Sequence, residues 1–178
     1  MAMSPIIETP RLRIVPFSEE HLTAHYVQWL NDPETVRFSE QRHHNHTLAS
    51  CREYWQSFIG SLHYFWALEL REPSPTNHIG NMNAYVDIHN LVADVGILIG
   101  ERACWGGGYG TEAWVAVCNY LLYEAGMRKV TAGTIAENSG MLHIMKKTGM
   151  IEDGVRKRHF IFEGREVDLI HAALYSEK

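Results

Sequence analysis

Ala93–Ala113, ADVGILIGERACWGGGYGTEA, reads as an apolar run, a glycine-rich turn and the start of a helix. Val95, Ile97, Leu98 and Ile99 are mostly β-branched and nearly continuous, the pattern of a strand buried on both faces. Gly106, Gly107, Gly108 and Gly110 follow, and without Cβ atoms they allow positive φ and a close approach to the main chain. From Thr111 the chain reads as helix, so N–H groups between Gly106 and Thr111 lack intrahelical partners. Free N–H groups and the positive end of a helix dipole then point the same way, and a phosphate or pyrophosphate is the expected occupant.

Spacing decides which phosphate ligand is meant. A dinucleotide G-x-G-x-x-G started at Gly106 would put Thr111 at its third glycine, and started at Gly107 it would put Tyr109 at its second. The P-loop spacing meets Thr111-Glu112 where its terminal residues belong. In the remaining frame, Trp105-Gly106-Gly107-Gly108-Tyr109-Gly110 resembles the pyrophosphate loop Q/R-x-x-G-x-G/A of the GNAT superfamily of acetyl-coenzyme A (acetyl-CoA) dependent N-acetyltransferases. Trp105 in place of Gln or Arg is similar to the W-G-x-G-Y-x-T-E-A version in the branch that includes the ribosomal-protein alanine N-acetyltransferases, and TPRLRI near the start resembles that branch's opening strand.

The 178 residues fit one domain, expected to span 1–178, and no linker interrupts them. Apolar residues at 46% and charged ones at 21% are ordinary for a globular chain. A formal charge of -5 argues against a general nucleic-acid or anionic-membrane binder and suits a cationic amine substrate. No secretory n- and h-regions open the chain and no apolar run reaches about 18 residues, so a cytoplasmic location without a membrane partner is expected. Cys51, Cys104 and Cys118 are odd in number without C-x-x-C spacing, which suggests reduced, buried thiols rather than disulfides or zinc. His43-His44-Asn45-His46 invites a metal reading, but without Cys or carboxylate partners at defined spacing it reads as a solvated loop, and no metal is expected.

In chain order, the expected elements begin with a strand over Arg11 to Val15, stopped by Pro16. A helix over Glu19 to Leu30 capped by Ser18, and a second from about Thr47 to Ile59 with Leu48, Cys51, Trp55, Phe58 and Ile59 on one face, follow. Strands over His63 to Leu70 and His78 to His89 flank a turn at Glu72 to Asn77 with two prolines, and a third runs from Ala93 to Ile99. The helix from Thr111 to about Ala125 is apolar almost all round and should be largely buried, with Gly126 as its stop. Lys129 to Ile135 completes a parallel crossover, and strands near Val155 to Phe162 and Glu166 to Leu174 form a closing hairpin, with the basic run Arg156 to His159 on an edge.

A second motif lies at Asn138 to Gly149, where AENSGMLHIMKKTGM resembles the family's Asn, short helix and Lys-x-Gly-Phe/Met; helix capping by Asn138 and Gly149 predicts the same letters. The resemblance implies an α/β fold (α+β) of mixed, mainly antiparallel sheet flanked by helices, whose two central parallel strands splay apart to admit the pantetheine arm. It implies main-chain groups of Ile97, Leu98 and Ile99 on that arm, the turn from Trp105 through Gly106, Gly107, Gly108, Tyr109 and Gly110 to Thr111 on the pyrophosphate, and Asn138 near the thioester. Many relatives carry a proton-donating Tyr where Met145 stands, which leaves the acid to water or a tyrosine such as Tyr109. The segment between the first two strands borders the acceptor site in this superfamily, so Trp29, Phe38 and Trp55 either shape substrate choice or pack the core.

Acyl transfer to an amine needs a proton acceptor, for which Asp94 is the first candidate, beside its alternative as a hydrogen-bonded strand-end carboxylate. Cys104 sits near the loop without a sequence-local activating partner, so direct transfer is expected. The leading expectation is an acetyl-CoA dependent N-acetyltransferase acting on a primary amine of a small molecule or protein N-terminus. A weakly catalytic coenzyme A binding module and a nucleotide-dependent enzyme are the alternatives. Monomer and homodimer stay open.

Overall fold

The computed structural model describes residues 4–72 and 77–177; positions 73–76 of the two-proline turn expected at Glu72 to Asn77 lie outside the described residues. Eight strands form one sheet: β1 Ile7–Glu8, β2 Leu12–Pro16, β3 Tyr64–Leu70, β4 His78–Asp87, β5 Val92–Ile99, β6 Lys129–Ile135, β7 Ile151–Phe162 and β8 Arg165–Tyr175. Their spatial order is β1-β2-β3-β4-β5-β6-β8-β7, and β5 with β6 is the parallel pair. Four α-helices cover the sheet: α1 Ala24–Asn31, α2 Leu48–Gln56, α3 Tyr109–Asn119 and α4 Ser139–Lys147.

The period-two pattern of the strands sorts side chains between two cores. Leu12, Ile14, Trp66, Leu68, Met82, Val95 and Val130 point to α3 and α4, where Trp114, Val117, Cys118 and Met145 meet them. Val15, Phe17, Phe65 and Ala67 point the other way, against Tyr26, Trp29 and Leu30 of α1 and Cys51 of α2. Because β3 has both faces covered, its residues Tyr64 to Leu68 are all buried.

Several boundaries differ from the sequence reading for local reasons. The helix expected over Glu19 to Leu30 splits into a 3-10 turn at Glu19–His21 and α1, because Leu22 leaves helical geometry and the Thr23 hydroxyl caps α1 by accepting from the Tyr26 N–H at 3.1 Å. α2 stops at Gln56, and Leu48 and Ile59 are exposed rather than buried. α3 starts at Tyr109 because Gly108, at φ +81°, serves as its N-cap, and a π-helical turn at Tyr120–Glu124 replaces its last turn. Val115 on α3 is 41% exposed, so that helix buries one broad face and not its whole circumference. The hairpin strands extend further than expected, and a bulge with Arg158 at φ 55° interrupts β7 within the basic run.

β5 is the consequential difference. Pairing with β6 covers only Val92↔Lys129, Ala93↔Val130 and Asp94↔Thr131, after which the two strands part. Ile97 and Ile99 pack on one core and Leu98 on the other, yet all three are only half-buried, because beyond that rung β6 no longer pairs along their edge.

At the start of β4, the His78 ring packs against Trp29 and His21, both at 5.0 Å between centroids. Its Nε2 lies 2.9 Å from Asn81 Oδ1 and 3.0 Å from the Gly80 carbonyl. Burial pushes the imidazole down to about 4, against the opposing pull of those hydrogen bonds. A histidine depressed in the folded state stabilises the fold above its unfolded pKa of about 6.5 and loses that contribution as pH falls toward 4. We expect urea unfolding to show wild type losing about 2–3 kcal/mol between pH 7 and 4.5 that a folded His78→Asn variant does not lose. Equal losses in both proteins would contradict the assignment.

Candidate active site

The turn after β5 is shaped by two left-handed glycines. Gly106 and Gly108 have φ of +72° and +81°, conformations that cost a residue with a Cβ about 1–3 kcal/mol. Between them, the Gly107 N–H donates to the Cys104 carbonyl at 3.3 Å. The first intrahelical bond of α3 is from the Glu112 N–H to the Gly108 carbonyl at 3.1 Å. The N–H groups of Gly106, Gly108, Tyr109, Gly110 and Thr111 have no bond among the described residues and converge at the α3 N-terminus, as an anion cradle requires. Gly110 admits α4 and β5: a Cβ there would stand 3.3 Å from Ile144 and 3.6 Å from Ile99.

The edge of β5 leads into this cradle. The Gly100 N–H donates to the Ile79 carbonyl at 2.9 Å, and antiparallel alternation then turns the main-chain groups of Leu98 toward β4 and those of Ile97 and Ile99 toward the opening. The Ile99 carbonyl is taken by the Trp105 indole N–H at 2.8 Å, so Trp105 braces the loop against the strand end. Among the described residues, the open edge keeps the N–H and carbonyl of Ile97 and the N–H of Ile99, beyond the Val95 carbonyl at its start.

A second brace comes from the N-terminus and escapes a reading of motifs alone. Glu112 accepts from the Thr9 hydroxyl at 2.7 Å, the Arg11 N–H at 2.9 Å and Arg11 Nε at 2.7 Å. Burial alone would raise the Glu112 carboxyl, but the bonds from Thr9 and Arg11 outweigh it and hold it below the ordinary glutamate range. Arg11 also donates to the Gly107 carbonyl at 2.8 Å and lies over the Tyr109 ring at 4.2 Å. One half-exposed guanidinium thus fastens the loop and brings positive charge beside it. The signal was present in the letters, TPR opening the chain and TEA after the glycines, but nothing local joins stretches about a hundred residues apart.

The other expected residues divide between the opening and the core. Asp94 is exposed at the last rung joining β5 to β6, where its Oδ2 accepts from the Thr131 hydroxyl at 2.7 Å. It lies about 16 Å along the strand from Ile99 at the usual rise per residue. Asn138 has both ends of its amide engaged: Oδ1 caps α4 through the Met141 N–H at 3.1 Å, and Nδ2 donates to the Thr134 hydroxyl at 3.0 Å. Met145, 2% exposed, is part of the core, and Tyr109 stands under Arg11 at the loop.

Trp29 packs on Gly100, where a Cβ would meet its ring at 2.0 Å. Trp55 donates to the Phe17 carbonyl at 3.0 Å, and Phe38 stacks near Phe162. Open clefts of about 480 and 350 Å³ run beside α1, the first lined by His25, Trp29 and Glu101, the second by Arg37, Arg42 and Phe162. The histidine cluster is largely the solvated loop expected, with His43, His44 and Asn45 exposed, although His43 ends a 3-10 turn and the His46 main chain is held by the Asn31 amide. Among the described residues, no three His, Cys, Asp or Glu side chains are grouped to hold a metal ion.

Two substitutions test the cradle. Gly108→Val should weaken acetyl-CoA binding by about tenfold or more, the equivalent of the backbone strain it introduces. Arg11→Ala should weaken it several-fold. Calorimetry on folded variants with unchanged affinity would contradict the loop assignment.

Comparison with known proteins agrees with this geometry. Human alpha/beta-tubulin-N-acetyltransferase 9 is 23% identical over 147 residues, which cover 75% of this chain and 69% of that protein. A ribosomal L7/L12 alpha-N-protein acetyltransferase solved with coenzyme A superposes with a TM-score of 0.85 at 14% identity, covering 97% of this chain and 99% of that one. A spermidine N-acetyltransferase from Vibrio cholerae, solved with coenzyme A and spermine, gives 0.83 at 16% identity, covering 96% and 98%. These likenesses concern the fold, whereas the profile of the acetyltransferase (GNAT) domain matches the sequence itself over residues 11–151, from the arginine that fastens the loop to the first residue of β7. The chain therefore belongs to the GNAT acetyltransferase family.

Proposed function

We propose that residues 1–178 form one N-acetyltransferase domain that moves acetyl directly from acetyl-CoA to a primary amine of a small molecule or a protein N-terminus. The observation that carries this reading is the continuity of a β5 edge with five N–H groups at the α3 N-terminus, edge and groups alike without partners among the described residues. The edge matches the amides of a pantetheine arm, and the cradle with Arg11 matches a pyrophosphate. Acetyl-CoA supplies the activated acetyl group, while the N–H of Ile97 is placed to stabilise negative charge growing on the thioester oxygen. Asn138 acts through position, holding α4 to the end of β6.

The acceptor amine enters in its protonated form and needs a proton sink. Asp94 is on the open face, exposed and oriented by Thr131, and takes that proton through water. Glu101, 3.2 Å from His25 on the cleft beside Gly100, adds negative charge where a cationic acceptor would approach. Cys104 is unsuited to a covalent route, because it is buried and both burial and the neighbouring Glu101 push its thiol pKa up. The three free, buried thiols accord with a reducing, cytoplasmic setting.

Free-thiol release from acetyl-CoA in the presence of polyamines, amino acids, aminosugars and N-terminal peptides tests the reading. Amine-dependent release supports it; tight coenzyme A binding with no transfer to any acceptor would favour the binding-module alternative. With an active acceptor, initial rates should show intersecting double-reciprocal lines, and Cys104→Ser should keep most of the activity. Asp94→Asn should lower turnover by roughly a hundredfold with acetyl-CoA affinity unchanged. Parallel lines with an acetylated Cys104 would overturn direct transfer, and unchanged turnover would remove Asp94 from the mechanism.

A further inference from the structure

Where β5 and β6 part, each strand carries a glycine. The last pair is Asp94↔Thr131, and two residues on, on the same face, stand Gly96 of β5 and Gly133 of β6. Each glycine is overhung from the strand behind it. Asn83, paired with Gly96 across β4 and β5, holds its Oδ1 2.6 Å from where a Gly96 Cβ would be. His171, paired with Gly133 across β6 and β8, holds its Cε1 and Nδ1 both 3.2 Å from where a Gly133 Cβ would be. Past the last rung, the face that carries Asp94 and Thr131 thus presents an amide on β4 and an imidazole on β8, each lying over a glycine, and Gly133 is exposed.

His171 is incompletely satisfied there. Its Nε2 is shut off from solvent without a hydrogen-bond partner, and its Nδ1 has none among the described residues. A buried imidazole nitrogen without a partner is costly, and such groups in native folds call for a functional or solvent explanation. Asp153 on β7 interacts with His171 electrostatically, and among the described residues no hydrogen bond joins the two side chains. The ring is therefore held by packing, with Nδ1 and Cε1 over exposed Gly133.

We propose that His171 is the relay by which that proton reaches Asp94, taking it from the acceptor ammonium and handing it on through water; this rests on the amine-acetylation reading above. Nδ1 accepts one N–H proton and frees the nitrogen lone pair, which forms the C–N bond to the acetyl carbon. The C–S bond breaks and the sulfur leaves with its electron pair. A second N–H proton, shed as the amide forms, goes to that sulfur and gives the free thiol, while the proton on His171 passes through water to Asp94. Asn83, over Gly96 on the β5 side of the opening, is a positioning residue for the incoming amine.

The test measures free-thiol release from acetyl-CoA with spermidine and with an N-terminal alanine peptide, in wild type, His171→Gln and His171→Ala. Acetyl-CoA affinity by calorimetry should stay within about twofold, the KM for the amine should change little, and kcat should fall on the order of a hundredfold. Added imidazoles should restore the His171→Ala rate in proportion to their basicity, which a packing role would not produce. Wild-type kcat in His171→Gln, rescue indifferent to basicity, or loss of acetyl-CoA affinity would each overturn the assignment. If wild type itself releases no thiol with either amine while binding acetyl-CoA, the failure lies with the amine-acetylation reading on which this one rests.

Discussion

The loss of pairing between β5 and β6 beyond the Asp94–Thr131 rung is the constraint on which the molecule turns. A parallel strand pair that stayed closed would satisfy its own main chain and offer nothing to a ligand. Here β6 keeps its full ladder with β8, and β5 keeps its ladder with β4, so each strand is stable without the other. The unpaired edge is thus created by divergence of two well-supported strands, and its polar groups await a ligand or water. The crossover through α3 then sets the anion cradle at the end of that same edge.

Fastening the cradle takes contacts that run across the chain. Gly106 and Gly108 permit its backbone angles, but glycine alone leaves a loop loose. Trp105 ties it to the last carbonyl of β5, and Glu112 ties the first turn of α3 to Thr9 and Arg11. Arg11 is half-exposed, and a guanidinium that donates to the loop carbonyl of Gly107 keeps further N–H donors for an oxygen anion. Preorganisation of this kind spares a ligand the entropy of ordering the loop.

Much of this was legible before any coordinates. The apolar run, the glycine frame and the cap at Asn138 are local signals, and strand, loop and helix follow them to within a few residues. Asp94 is exposed and hydrogen-bonded to Thr131 at the last rung before the strands part. What the letters hide is non-local. Nothing in VGILI tells that β6 will turn away, and a strand read as buried on both faces is only half-buried for that reason. Nor does a lone Arg in TPRLRI announce that it will reach the glycines, and His171, in an unremarkable stretch of the last strand, acquires meaning only when Gly133 lies beneath it. Helix boundaries near Leu22 and Gly108 shifted because competing caps, Thr23 and a left-handed glycine, won over the residues with stronger helical pattern.

Hydrogen–deuterium exchange on addition of acetyl-CoA reads the central claim directly, since it reports on main-chain N–H groups one segment at a time. The account requires slowed exchange in the β5 segment that holds Ile97 and Ile99 and in the segment from Gly106 to Thr111, with the Leu98 amide already slow without ligand. Protection confined to the clefts beside α1, with the β5 edge and the glycine turn unchanged at saturating acetyl-CoA, would contradict it.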